Sequence, residues 1–379
     1  MSTAPLISVV IPTRERARTL HHTLRTVLAQ PGDRFEVIVS DNVSEDGTRD
    51  VVEGLADPRL RYVRTDRRLS MCDNWDFAFR HVRGRYAIVI GDDDALAVGA
   101  IPDLERFVLE RPFPVYYWEP SIYKWPSKES GPRLSRWARS SRTEAVALRP
   151  RVAFSFRWGG LAYMRLPLLY HALVSMDVLD RIRQRTGRLF HSTQPDVFMA
   201  FALPVFCDEA LWIGRSVTHY GEAEDRSATH TIGKEESELA VKIDRFLREY
   251  GDYPLHATLC PAVPFWVNMI PDAMLVARDL FPEYYRDIPF DYDAMWAFLW
   301  RYWRFDTISG IAARRREFRR YHPFHLVRYW GIMSIHLASE GRMALRRLAG
   351  RSRTDVPMPD CPTNIYDFAR RMAAAEERA

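Results

Sequence analysis

Between residues 6 and 100 the chain switches repeatedly between two hydrophobic periods, and that alternation narrows the choice of fold more than any other feature. LISVVIP (6–12) is a β-branched run that reads as a strand. ARTLHHTLRTVLAQ (17–30) follows, with Leu20, Leu24, Val27 and Leu28 on one helical stripe. FEVIVSDN (35–42) reads as a second strand, 46–56 as a short helix, and LRYVRTD (60–66) as a third strand. MCDNWDFAFRHV (71–82) is a helix that stops near Gly84, and YAIVI (86–90) is a fourth strand. Repeated βα units of this length predict an α/β fold with a mostly parallel sheet covered by helices.

The polar residues gather at the ends of these strands. YAIVI runs into Gly91 and then Asp92, Asp93 and Asp94. Strand one ends in Pro12-Thr13-Arg14-Glu15, and strand two in Asp41-Asn42-Val43-Ser44. In an open parallel sheet, ligands bind outside the carboxyl ends of the strands, where all three sets fall. Adjacent carboxylates are tolerated when a divalent cation neutralises them, and hard cations such as Mg²⁺ or Mn²⁺ take oxygen ligands and bridge to phosphates. A solvated acidic turn is the plainer alternative for Asp92–Asp94 taken alone.

With these segments in register, the chain resembles a family 2 glycosyltransferase of the GT-A fold, a Rossmann-like nucleotide-diphospho-sugar transferase. The resemblance rests on SVVIPTRER (8–16), VSDNVSEDGT (39–48) and IGDDDAL (90–96). It is strong over 6–100, visible to about 235, and absent from the C-terminal helical patterns. It implies that Pro12, Thr13, Arg14 and Glu15 form the first-strand loop that holds the nucleotide, and that Asp41 hydrogen-bonds the base, uracil or thymine. Asp92 to Asp94 match the DXD-type motif, with Asp94 the direct metal ligand and Asp92 or Asp93 nearer the ribose and sugar. Asn74 matches a position near the donor; a helix-surface amide is its plain alternative. Many relatives have Tyr-Asn where this chain has Arg14-Glu15, so no aromatic is offered there to stack on the base.

An inverting sugar transfer is a single displacement at the anomeric carbon and needs a general base for the acceptor hydroxyl. The candidate is Asp196 in HSTQPDVFMAFAL. Pro195 suits a first helical position, which places Asp196 in the first turn, where relatives carry an acidic residue. An Asp that merely complements the helix dipole is the alternative. His219, Arg226 or His230, around HYGEAEDRSATH, could return to the diphosphate, and His219 joins Asp94 and Asp92 as a candidate metal ligand.

The remaining readings come from composition. The net charge of +5 on 379 residues is no nucleic-acid signature by itself. Cys72, Cys207, Cys260 and Cys361 form no CxxC pair, which suits reduced thiols in a cytoplasm. LISVVIP is followed at once by RERAR, the reverse of a signal peptide. The longest apolar region, 260–277, is broken by three prolines and Asp272, so no membrane span is expected. AAAEERA (373–379) reads as a frayed tail. Residues 301–353 hold thirteen arginines against Asp306, Glu317 and Glu340, with tryptophans interspersed. Such a stretch can lie on an anionic membrane, pack as an ordinary helical or oligomeric surface, or, less well supported, bind nucleic acid.

The expectation is three parts. Residues 1–110 form the nucleotide-sugar half of the GT-A domain, 111–235 the acceptor half, and 236–379 a helical, Arg-rich C-terminal region. The function expected is metal-dependent (Mn²⁺ or Mg²⁺) inverting transfer from a UDP- or dTDP-sugar to a glycan, lipid-linked or small-molecule hydroxyl. The place expected is the cytoplasm or the membrane periphery. The alternatives are a DNA-modifying glycosyltransferase, a retaining enzyme and an inactive GT-A binding protein.

Overall fold

The computed structural model describes residues 4–127, 130–136, 140–160, 163–223, 246–251, 253–259, 265–295 and 361–376, with isolated residues between 297 and 334. Strands β1 (Ile7–Thr13), β2 (Phe35–Asp41), β3 (Leu60–Arg64) and β4 (Tyr86–Val89) lie in the parallel order β3-β2-β1-β4. Helices α1 (Ala17–Leu28), α2 (Thr48–Glu53) and α3 (Met71–Phe79) connect them. β1 and β2 are apolar on both faces because both faces are covered. Val10 packs into the core beneath α3, and its neighbours Val9 and Ile11 into the core beneath α1.

The sheet continues with strands from residues 111–235. β10 (Ala172–Ser175) runs antiparallel between β4 and β6 (Val115–Trp118), followed by β11 (Glu209–Ile213) and β9 (Thr143–Ala147). A second sheet of four strands has the order β5 (Ala95–Leu96), β12 (Thr218–Glu222), β7 (Ser121–Lys124), β8 (Arg133–Arg136). The further helices are α4 (Ala100–Glu110), α5 (Leu148–Arg157), α6 (Met176–Thr186), α7 (Pro195–Ala202), α8 (Phe265–Leu280), α9 (Pro282–Tyr285) and α10 (Ile365–Glu376).

Four sequence readings change: PVYYWEPSIY and LWIGRSVTHY each read as one strand, 161–185 as helix, and AAAEERA as a frayed tail. PVYYWEPSIY is two strands in different sheets, because Pro120 has no N–H for a ladder. LWIGRSVTHY likewise divides into β11 and β12 around Gly214-Arg215-Ser216. Residues 161–185, expected as helix, contain β10 at the centre of the large sheet; pairing on both edges overrides an apolar run whose period is ambiguous. The tail AAAEERA is not frayed throughout: Ala373–Glu376 complete α10, whose Phe368 is fully buried against Tyr123. Among the described residues no helix is long and apolar enough to cross a membrane. The Arg-rich stretch 301–353 lies almost wholly outside the described residues.

Candidate active site

The loops after β1, β2 and β4 meet at one edge of the sheet. Thr13 Oγ1 donates to Asp92 Oδ2 at 2.7 Å, joining the first loop to the carboxylate triplet. The Glu15 N–H donates to Ser44 Oγ at 2.9 Å, and the Glu45 N–H to Glu15 Oε1 at 3.0 Å, joining the first loop to the second. Glu15 and Val43 both hold φ near +60°, at 56° and 58°. Left-handed backbone at non-glycine residues is strained and persists where its surroundings fix it, commonly at functional sites.

The three aspartates do different work. Asp94 is fully buried and turned inward. Its Oδ2 accepts from the Gly91 N–H and the Tyr170 hydroxyl, each at 2.6 Å, and its Oδ1 from the Gly221 N–H at 2.7 Å. Asp94 therefore pins the turn that the other two occupy. Gly91 is required there, because a Cβ would lie 2.3 Å from the Tyr170 hydroxyl. Gly221 is required as well, since its Cβ would fall 1.7 Å from the Asp93 carbonyl. Asp93 is buried, with Oδ2 3.3 Å from the Ala223 N–H and 3.5 Å from Arg16 Nη1. Burial first, then the charges of Asp94 and Asp92, push its carboxyl up to about 8. Asp92 is partly exposed, and burial raises its pKa, with Arg16 opposing. Of the triplet, Asp92 alone is not buried.

The other expected residues are placed as follows. Asp41 is buried, with Oδ2 accepting from the Tyr62 hydroxyl at 2.5 Å and Oδ1 from the Ser44 N–H at 2.9 Å. Its carboxylate shapes the second loop, and a base would share it with Tyr62. Asn74 is buried in α3 and accepts from Ser40 Oγ at 2.8 Å, so its amide ties α3 to β2 and is no surface amide. Pro12 is partly buried, and Arg14 reaches away to Glu249. His219 sits on β12 with its ring edge-on to Phe368 of α10, and burial lowers its pKa to about 4. The imidazole beside Asp94 is that of His171, with Nε2 3.6 Å from Asp94 Oδ2. Arg226 and His230 lie outside the described residues.

Tyr170 and His171 carry no motif, and the sequence reading passed over them. Both immediately precede β10, in the segment expected to be helix. Leu169 and His171 hold φ at 65° and 58°, which turns the Tyr170 hydroxyl onto Asp94. Tyr170 also stacks on Trp75 at 6.2 Å, and Trp75 packs edge-on to Phe190 at 5.4 Å, which leads to the loop before α7. Asp196 stands in the first turn of α7 behind Pro195 and is partly buried. Burial pushes its carboxyl up to about 6, against weaker hydrogen bonds from backbone N–H groups.

The sequence profile described as Glycosyl transferase family 2 matches residues 8–171. Over these residues, less than half of its length, the chain is similar to family 2 glycosyltransferases. The central sheet is mostly parallel and covered on both faces by helices. The succinoglycan biosynthesis protein ExoO of Rhizobium meliloti is 31% identical over 107 residues, covering 28% of this chain and 30% of that protein. A validoxylamine A glucosyltransferase of Streptomyces hygroscopicus subsp. jinggangensis is 51% identical over 65 residues, covering 16% of this chain and 15% of that protein. The chain thus spans less than a third of the length of these relatives. The crystal structure of S. aureus TarS 1–349 in complex with UDP-GlcNAc aligns with a TM-score of 0.47 at 13% identity, covering 77% of this chain and 91% of that one.

Proposed function

We propose that the protein is a cytoplasmic inverting glycosyltransferase that takes a nucleotide-diphosphate sugar, with UDP- and dTDP-sugars favoured. The observation that carries this reading is the meeting of the three family 2 loops, with Thr13 on Asp92 and Glu15 on Ser44. The acceptor hydroxyl attacks the anomeric carbon, the bond to the diphosphate breaks, and the hydroxyl proton passes to Asp196. A carboxyl near 6 is ionised at neutral pH and still basic enough to take that proton.

The triplet fits a divalent cation: burial first, and then the charges of Asp94 and Asp92, raise the Asp93 carboxyl, and a cation beside Asp92 would offset the charge that the three carboxylates share. Among the described residues no three His, Cys, Asp or Glu side chains are arranged to hold a metal alone. Asp92 would therefore bind Mg²⁺ or Mn²⁺ together with diphosphate oxygens, with Asp94 fixing the turn beneath it. Bound there, the cation would stabilise charge on the departing diphosphate. Residues 1–110 would serve the donor, 111–235 the acceptor, and the Arg-rich stretch 301–353 peripheral contact with an anionic membrane carrying a lipid-linked acceptor. Flotation with anionic liposomes tests that last point; no salt-dependent association would remove it.

The test of the activity is nucleoside-diphosphate release from a panel of UDP-, dTDP- and GDP-sugars, with and without Mn²⁺. Release from one donor class that requires the cation supports the reading. No release from any donor, together with no nucleotide binding, would favour an inactive binding protein.

A further inference from the structure

Residues 249–272 contact two loops, the one after β1 and the one before α7. Glu249 accepts from Arg14 of the first loop. The larger set of contacts falls on the loop before α7. The Tyr250 hydroxyl donates to the Thr193 carbonyl at 3.2 Å. Ser192 Oγ donates to Asp272 Oδ2 at 2.8 Å. Asp272 is fully buried in α8 and accepts twice more, from the Tyr253 hydroxyl on Oδ2 and the His256 N–H on Oδ1, both at 2.8 Å. From the opposite side, Cys72 Sγ donates to the Ser192 carbonyl at 3.0 Å. Ser192 holds φ at 67°, a conformation that a serine keeps only when its surroundings over-determine it. Four residues later the chain presents Asp196.

We propose that Asp272 is a positioning residue for the base: by holding Ser192 in its left-handed conformation it fixes the entry of the chain into α7 and the setting of the Asp196 carboxylate. The functional part of this proposal rests on the reading of Asp196 as the base. A carboxylate suits the task because all three of its partners are donors, whereas an amide would turn an NH₂ toward one of them. Residues 249–272 thus contact both the donor loop, at Arg14, and the base loop, at Ser192 and Thr193.

Two readouts test the proposal without donor or acceptor. In Asp272→Asn, hydrogen exchange of the amides of 191–197 should quicken at least tenfold, with β1 to β4 unchanged. The second is the titration of Asp196, read as the difference in Tm between Asp196 and Asp196→Asn proteins. A carboxyl raised to about 6 favours the protonated form in the folded state, so this difference should fall as pH rises from about 4 to 6. In the Asp272→Asn background that window should move down toward the ordinary carboxylate range. Unchanged exchange with an unchanged window would overturn the proposal. If Asp272→Asn does not fold, Ser192→Ala removes a single donor, and the same changes in smaller degree are expected of it. Normal sugar transfer by Asp196→Asn would sink the base reading while leaving both readouts intact, so the two failures are told apart.

Discussion

Asp92, Asp93 and Asp94 share a side chain and differ in environment, and the differences assign their work. Asp94 is enclosed by three donors, Asp93 is buried beside Arg16, and Asp92 alone is not buried. Because the Gly91 Cβ position lies against the Tyr170 hydroxyl, Gly91→Ala must displace Tyr170 from Asp94. Gly91→Ala and Tyr170→Phe should each cost about 1–3 kcal/mol of stability by denaturant unfolding, the range for breaking a buried hydrogen bond to a charged group. Together they should cost less than the sum, since both break the same bond. Across the site, Asp196→Asn keeps the shape and removes the proton acceptor. Transfer should fall about 10²- to 10⁴-fold, with donor Kd within about twofold of wild type. The polar strand ends were legible in the sequence because strand order places them at one edge. The inward turn of Asp94 was not, because it depends on Tyr170, 76 residues later and in no motif.

Elements with one clear period were read correctly, and those whose context decides were not. The β1–α1–β2 unit follows from alternating periods alone. β10 could not be read as a strand from ALVS, since its place depends on β4 and β6 on either side. Helix α10 falls in the region expected to be helical, and only its last residues, Ala373–Glu376, were read as tail; what the sequence does not show is what it covers. Phe368 packs on Tyr123 of β7 and His219 of β12, and β12 supplies the Gly221 N–H to Asp94. Phe368→Ala should cost about 3–5 kcal/mol, the usual loss for a fully buried Phe. It should also weaken nucleotide binding, because the strand behind the triplet loses its support. Equal nucleotide affinity in a destabilised Phe368→Ala protein would separate α10 from the site.

At the scale of the molecule, the site shows in how stability depends on pH. The carboxyls of Asp93 and Asp196 are raised to about 8 and about 6, so the folded state binds more protons than the unfolded chain. Their contribution is full below pH ~4 and is lost as pH rises through 6 and then 8. In EDTA, Tm should therefore decline from pH 5 to 8, apart from other titrations, and the decline should shrink in Asp93→Asn. Mn²⁺ with UDP should raise Tm most at the alkaline end, where the triplet is ionised. A flat profile in EDTA would show that the triplet is already neutralised within the chain.

The central proposal is that two carboxylates have separate functions, a donor side at Asp92 and a base at Asp196. Calorimetry with UDP tests it most directly, in Mn²⁺ and in EDTA, on wild type, Asp92→Asn and Asp196→Asn. The account predicts binding in Mn²⁺ that weakens at least tenfold in EDTA and in Asp92→Asn, and stays within twofold in Asp196→Asn. UDP affinity that ignores both EDTA and Asp92→Asn, or that collapses in Asp196→Asn, would contradict it.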